Sequence, residues 1–442
     1  MSDPIRLLCL ILAGKGRGLA QRALARLPAG GPLSRLPPCP PLPEAAPLRR
    51  ADGTRPMKVL VAGHSLNLEG APLSQLDLVA ALAEAGGMEL VVASVQDGPL
   101  RREYERLGIP VRLDLPGLGG LYTDADFTRA ALDLGRRWRD EGIDAVLAVT
   151  LLSAPAIEAA RLAGIPALWN PRESVEPHLA FRPFGAAIAA RALACLHHPA
   201  ATVFVARSSR ALWAPLDDRR FHIIANALPP WRIAALSGGR DAAERARLGL
   251  APHEVMVLVP GTVCERKGQR DLARALERLA PEARAVLRVV CLGDGDGRYA
   301  RALDRDRARL PPGLLRIEPA QADPAPWYRA ADVVALPSRS ESAPRVVLEA
   351  LAAGIPLLVS PVFGIAEQVP EGCGALHCPP GDTARLAGLL SRLALDPALR
   401  QALAEQARRR FAQINDFPGL VEGYRSLLVA AASGDDRVRR HS

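Results

Sequence analysis

Lysine is nearly absent from this chain: Lys15, Lys58 and Lys267 are the only three in 442 residues. The basic excess, 56 Lys and Arg against 47 Asp and Glu, is therefore almost entirely arginine, and with 37 Gly and 40 Pro beside abundant Ala it reads as GC-rich coding. Aromatic residues are equally sparse at 4%, too few for the stacking platforms of a single-strand binder. The arginines are spread along helical patterns without a dense patch, so no nucleic-acid partner is expected. No apolar run reaches the roughly 18 residues of a membrane-spanning helix. Seven cysteines, odd in number and mostly scattered, exclude a disulfide framework and fit a reducing, cytoplasmic setting. Cys373, His377 and Cys378 lack the second ligand pair of a structural zinc site, so no metal is expected. A Walker loop and a G-x-G-x-x-G turn are also missing. Gly293-Asp294-Gly295-Asp296-Gly297 has the wrong spacing, which sets aside a dehydrogenase.

What is present is a globular composition, 49% hydrophobic and 23% charged, at a length that favours two domains. Residues 1–56 read as a leader: an apolar segment IRLLCLILA is followed by Lys15, Arg17, Arg22 and Arg26, then by a stiff proline-rich linker. That order of charge and apolar run is the reverse of a secretory signal. Weak peripheral apposition to the inner face of a membrane through Leu7, Leu8, Leu10 and Ile11 is the alternative to a disordered tail.

Order begins at Met57. KVLVAG, MELVVAS, DAVLAVT, ALWN and TVFVA are continuous apolar strands separated by helical spacing, the pattern of a parallel sheet covered on both faces. A polar passage from Asn226 through Pro229 and Pro230 breaks the rhythm. VMVLVPG, AVLRVVCLGDG, LLRIE, DVVALPS and IPLLVS then start a second series. The expected architecture is α/β, with two doubly wound Rossmann-like domains at 57–230 and 231–414 facing across a cleft. The helical pattern 415–432 is expected to pack back on the first domain, and 433–442 form a polar tail. In such sheets ligands sit beyond the carboxyl ends of the strands.

Two segments carry chemistry. Gly261-Thr262-Val263-Cys264-Glu265-Arg266-Lys267-Gly268 lies between a strand and a helix spanning Asp271 to Leu279, so Arg266 and Lys267 stand beside a helix N-terminus suited to phosphate. In the second, Ser338 to Ala350, Ser342 is a candidate N-cap, Pro344 suits the first turn, and Glu341 precedes the helix. Glu349 lies inside that helix on an apolar stretch, where a buried carboxylate needs a partner: a sugar hydroxyl, or else a neighbouring loop or solvent. Three D-x-D matches (Asp124/Asp126, Asp294/Asp296, Asp304/Asp306) are too short to assign a metal.

Together with the Gly293-Asp294-Gly295 turn, the E-x7-E pair Glu341 and Glu349, and Ala353-Gly354-Ile355-Pro356 followed by Gly364-Ile365-Ala366-Glu367, these segments resemble the retaining glycosyltransferases of family 4, with the GT-B fold. The resemblance covers roughly Met57 to Ala432. It implies a metal-independent enzyme whose nucleotide-sugar co-substrate is UDP- or GDP-linked. Gly261, Arg266, Lys267, Gly293, Ser342, Ala343, Pro344, Arg345 and Glu349 would bind that donor. Arg266 and Lys267 would neutralise the diphosphate, Glu349 would hold the ribose, and Glu341 would lie near the transferred sugar. Ala343-Pro344 replaces the family's commoner Phe-Gly and removes one amide donor. His64, Gly70, Glu173 and Arg207 are acceptor or cleft candidates in the first domain, and an ordinary loop hydrogen bond is the competing account of His64 and Glu173. The acceptor implied is a glycan or a lipid-linked glycan of the cell surface, at the inner face of the membrane. A sugar-nucleotide epimerase and a degenerate, non-catalytic binding module are the rival readings.

Overall fold

The computed structural model describes residues 55–435 apart from 217, 218 and 296. The expected leader and linker, and most of the polar tail, lie outside the described residues. The chain divides into two compact units, with the first running to Ala225 and resuming at Pro418, and the second running from Asn226 to Phe417. The division falls five residues before the expected boundary, at the start of the polar passage.

The first unit holds a sheet of seven strands: β1 (Met57–Gly63), β2 (Met88–Ser94), β3 (Val111–Arg112), β4 (Ala145–Val149), β5 (Ala167–Asn170), β6 (Ala201–Phe204) and β7 (Phe221–Ile223). Their order is β3-β2-β1-β4-β5-β6-β7, and every pairing is parallel. Val59, Val61, Leu147 and Leu168 are fully buried and pack with Tyr424 and Leu428 of the helix Phe417–Ser433. The C-terminal helix thus completes the first unit's core after the chain has made the second.

The second unit holds six strands: β8 (Val255–Pro260), β9 (Leu287–Leu292), β10 (Leu315–Glu318), β11 (Val333–Leu336), β12 (Leu357–Val359) and β13 (Ala375–His377). They are ordered β10-β9-β8-β11-β12-β13, again all parallel. Every residue of β8 is buried, because one face packs with Leu272, Leu276 and Leu390 and the other with Tyr328, Leu348 and Leu351. That burial on both faces is the reason the strand reads as an unbroken apolar run.

An aspartate before the fourth strand fixes register in both units. Asp144 accepts from the Lys58 amide at 2.8 Å and Asp332 from the Met256 amide at 2.8 Å, tying the first strand of each sheet to its central neighbour. In both sheets the strand order reverses beside the first strand, between β1 and β4 and between β8 and β11. Crevices for ligands open at such points. Among the described residues, no helix is long and apolar enough to cross a membrane.

Candidate active site

At the β8/β11 reversal the two chemical segments meet. The chain leaves β8 at Gly261 (φ 123°), where an added Cβ would sit 3.1 Å from Cε of Lys267. It turns through Glu265–Lys267 to Gly268 (φ 73°), whose missing Cβ would lie 2.0 Å from the Pro337 carbonyl oxygen. Only glycine allows that backbone conformation at that approach, and it lays the β8 loop against the exit of β11. Gln269, fully buried, staples the loop: its amide group accepts from Cys264 N at 3.3 Å and donates to Thr262 O at 3.0 Å. The helix consequently starts at Gln269, two residues before the expected Asp271, with left-handed Gly268 as its cap. Gly293 closes the other side, since a Cβ there would meet Gly261 O at 2.4 Å.

This backbone gathers three charged side chains. Lys267 Nζ stands 2.7 Å and Arg266 2.9 Å from the same oxygen, Oε1 of Glu341, which also accepts from Ser338 Oγ at 3.1 Å. Arg266 reaches further to the Ser340 carbonyl at 3.0 Å, and its own carbonyl accepts from the Arg339 amide at 2.7 Å. Burial alone would raise the Glu341 pKa, but the two cations and the hydrogen bonds outweigh it and hold the carboxyl below its usual range. The cluster is therefore a carboxylate with two cations, net +1, aimed out from the strand ends.

Glu349 is also deeply buried, and its partners come from the protein. Arg345 Nε (3.1 Å) and the Arg232 guanidinium (3.1 and 3.0 Å) donate to Oε1, and Tyr328 donates its hydroxyl to Oε2 at 2.7 Å. Burial pushes its pKa up, and Arg345, Arg232 and Tyr328 bring it below the ordinary value. The need for a ligand as charge partner is thus already met, and spare acceptor capacity remains chiefly on Oε2. Arg232 and Tyr328 are participants that the sequence reading missed. Arg345, expected only as a donor-binding residue, lies one helical turn before Glu349 and pairs with it.

The expected N-cap at Ser342 is corrected. The helix Arg345–Ala353 is preceded by Pro344 at ψ 134°, which is the N-cap. The Pro344 carbonyl accepts from the Val347 amide at 3.2 Å, and the Ala343 carbonyl before it accepts from Asn226 Nδ2 at 2.7 Å. Pro344 therefore lies outside the helix and not in its first turn. The D-x-D matches also have structural accounts. Asp126 closes a capping box with Thr123, Asp306 pairs with Arg270 and Arg309, and Asp294 accepts from the Ala320 amide at 3.0 Å.

In the first unit, His64 at the exit of β1 places Nδ1 3.3 Å from Thr150 Oγ1 and Nε2 3.6 Å from Glu69. Glu173, beyond β5, accepts at Oε2 from the Leu151 amide (3.1 Å) and the Arg172 amide (2.9 Å). Burial raises its pKa, against the opposing pull of His64 and those amides. Between them Thr150 holds φ 71°, rare for a residue with a Cβ. It is clamped there by Trp169 Nε1, which donates to its carbonyl at 2.8 Å. His64, Thr150 and Glu173 form one cluster. Gly70 opens the helix Gly70–Ala85, and exposed Arg207 opens the helix Arg207–Ala211 after β6; neither joins that cluster.

Two family models match the chain, a "Glycosyl transferase 4-like domain" over residues 69–239 and "Glycosyl transferases group 1" over 254–396. Similar curated proteins include the D-inositol 3-phosphate glycosyltransferase of Frankia alni, 33% identical over 249 residues, which are 52% of this chain and 61% of that protein. The Acidothermus cellulolyticus protein of the same name is 34% identical over 215 residues, 46% of this chain and 47% of its own length. The chain thus matches about half the length of these relatives. Among solved structures, HepE of Anabaena in complex with UDP-glucose superposes with a TM-score of 0.70 at 19% identity, covering 85% of this chain and all of that one. WaaG, a glycosyltransferase involved in lipopolysaccharide biosynthesis, gives 0.67 at 17% identity over 84% of this chain and 99% of that one. The two matched models, with a parallel strand order that reverses at β8/β11, settle the assignment: the chain belongs to the family-4 glycosyltransferases of the GT-B fold.

Proposed function

We propose that this protein moves a sugar, with retention, from a UDP- or GDP-linked donor to a glycan or lipid-linked acceptor. The setting is cell-surface polysaccharide assembly at the cytoplasmic face of the membrane. The observation that carries the proposal is the meeting of Arg266, Lys267 and Glu341 at the strand-order reversal of the second sheet. As the glycosidic bond to the diphosphate breaks, negative charge grows on the leaving phosphate. Two cations held in place by the protein stabilise that charge, which is the work a divalent metal performs in metal-dependent transferases. Metal independence is part of the proposal for that reason. Glu341, held by the two cations and Ser338, lies toward the transferred sugar; Glu349, fixed by Arg232 and Arg345, offers its remaining acceptor positions to the ribose. Gly261 and Gly293 shape the loop that binds the donor, and the segment Ser342 to Arg345 borders it. The first unit contributes the acceptor side through His64, Gly70, Glu173 and Arg207. Similar proteins support this range: HepE is solved in complex with UDP-glucose, and WaaG is involved in lipopolysaccharide biosynthesis.

The test is a panel of UDP- and GDP-sugars with membrane-extracted acceptors, scoring acceptor-dependent release of nucleoside diphosphate with and without EDTA. Release that needs the acceptor, survives EDTA and disappears in Lys267→Ala is the expected result. Release without any acceptor would replace transfer by epimerase-type chemistry, and failure of every nucleotide to bind would leave a non-catalytic module.

A further inference from the structure

At the opposite end of the same sheet, before β11 and β12, the second unit forms a half-open pocket of about 370 Å³, within the range of pockets that take small molecules. Four arginines line it against one carboxylate: Arg240, Arg329, Arg400 and Arg408 with Asp332. Arg240 is paired with Asp332 at 3.0 Å, and Asp332 is already held by buried Arg245 at 2.8 Å. Arg329 is taken up by Glu244 at 3.4 Å. Arg400 donates only to the Leu393 and Ala394 carbonyls, at 2.6 and 3.1 Å. Burial makes its charge less favourable than in water, with the nearby Asp332 opposing. Arg408 lies flat on Gly354, where a Cβ would meet its Nε at 2.5 Å. Among the described residues, neither Arg400 nor Arg408 has a carboxylate within ion-pair distance. Half-buried Arg400 and exposed Arg408, neither in a direct ion pair, share one pocket wall, an arrangement that an anion completes.

We propose that this pocket is a second ligand site, distinct from the one at the strand exits, for a small phosphoryl dianion carried by a phosphate ester or a pyrophosphate. Arg408 and Arg400 grip the phosphoryl oxygens, and Ile355 and Leu236 supply apolar wall for the rest of the ligand. The Ala353-Gly354-Ile355-Pro356 segment gains a role here, since its glycine gives the Arg408 guanidinium its bed. Tyr328 forms part of the same wall while its hydroxyl holds Glu349, so the two ends of the sheet share a side chain.

The experiment is isothermal titration of the full chain with inorganic pyrophosphate and, separately, glycerol 3-phosphate, at low ionic strength. The proteins compared are wild type, Arg266→Ala/Lys267→Ala, Arg408→Glu, and Arg409→Glu as a control carrying the same charge change one residue outside the lining. The expected result is a saturable site that persists in the Arg266→Ala/Lys267→Ala protein, weakens at least tenfold in Arg408→Glu and is retained in Arg409→Glu. Response to glycerol 3-phosphate as well as pyrophosphate assigns a phosphate ester; response to pyrophosphate alone assigns a polyphosphate. The proposal is overturned if Arg266→Ala/Lys267→Ala removes all binding, if neither probe binds, or if Arg408→Glu and Arg409→Glu weaken it equally. Because binding is read apart from sugar transfer and in the loop variant, failure of the transferase reading would leave this outcome unaffected.

Discussion

Replacing Glu341 by Gln separates two roles that the structure gives this carboxylate. In the unliganded protein it neutralises one of the two charges of Arg266 and Lys267, at 2.9 and 2.7 Å. A diphosphate arriving at the same cations meets Glu341 as a like charge. A unit pair 4 Å apart is worth about 4 kcal/mol at an effective dielectric near 20. Arg266 is 29% and Lys267 12% exposed, so screening by solvent leaves about 1–2 kcal/mol, roughly a tenfold change in affinity. Glu341→Gln should therefore bind UDP up to about tenfold more tightly than wild type by calorimetry, with a steeper salt dependence, while sugar transfer falls. Its stability should move the other way. The folded carboxyl titrates below its unfolded value, so its contribution is present above about pH 4.3 and lost as pH falls through the folded value. At pH 7 the variant should be less stable by about 1–3 kcal/mol, as expected when one member of a buried, hydrogen-bonded pair is removed. That gap should close below about pH 4. If UDP instead binds Glu341→Gln as weakly as it binds Lys267→Ala, the carboxylate is a direct donor ligand and the charge-placeholder argument is wrong.

Three further outcomes follow from the geometry. Tyr328→Phe removes the hydroxyl bonded to buried Glu349 and should cost about 1.5–3 kcal/mol in chemical denaturation; a change under 0.5 kcal/mol would show that bond to be dispensable. Gly268→Ala must place a Cβ 2.0 Å from Pro337 O at φ 73°, whereas Gly313→Ala at φ 81° meets nothing within 4 Å. The first should lower the melting temperature far more than the second, and equal losses would refute the close-approach account. Glu173 has a raised folded pKa, so its contribution is full below the unfolded value and lost as pH rises through the folded one. Glu173→Gln, which keeps an acceptor oxygen for Leu151 N and Arg172 N, should thus gain stability relative to wild type between pH 4 and pH 8 in urea melts. An offset that does not change with pH would contradict that.

The fold was legible where strands are buried on both faces, because β1, β4, β8 and β11 then become unbroken apolar runs that no polar face interrupts. The edge strands β3, β7 and β13 were not read, being only two or three residues long, too short to show a period. Arg266, Lys267 and Glu341 were legible as a group because a doubly wound sheet sends all its strand-exit loops to one end. Their shared oxygen was not, since it depends on Gly268 pressing one loop onto another. Arg232 was hidden for a simpler reason: it donates across 117 positions from a proline-flanked passage that looked like a linker. Thr150 carries no signal at all, since threonine is ordinary after a strand and its strained φ comes from the Trp169 clamp.

The second unit treats its cations differently at the two ends of the sheet, and the difference bears on what each end does. At the strand exits the two cations share one carboxylate, so the empty site is stable and a ligand meets Glu341 as a like charge when it engages them. Such a site favours an occupant of higher charge than a single carboxylate, which a diphosphate is and a sugar alone is not. Its affinity is held down by the charge it has to oppose, which suits a group that has to leave after each turnover. At the strand entrances Asp332 is paired with Arg240 and Arg245, and among the described residues Arg400 and Arg408 have no carboxylate within ion-pair distance. An anion arriving there meets Asp332, whose charge is already shared by two arginines, and gains two guanidiniums at once, the arrangement of a site that holds its ligand. Placing a carboxylate at 408 should therefore do at the entrance what Glu341 does at the exit, weakening an anion by supplying its charge in advance. The Arg408→Glu and Glu341→Gln titrations should move in opposite directions for the same electrostatic reason.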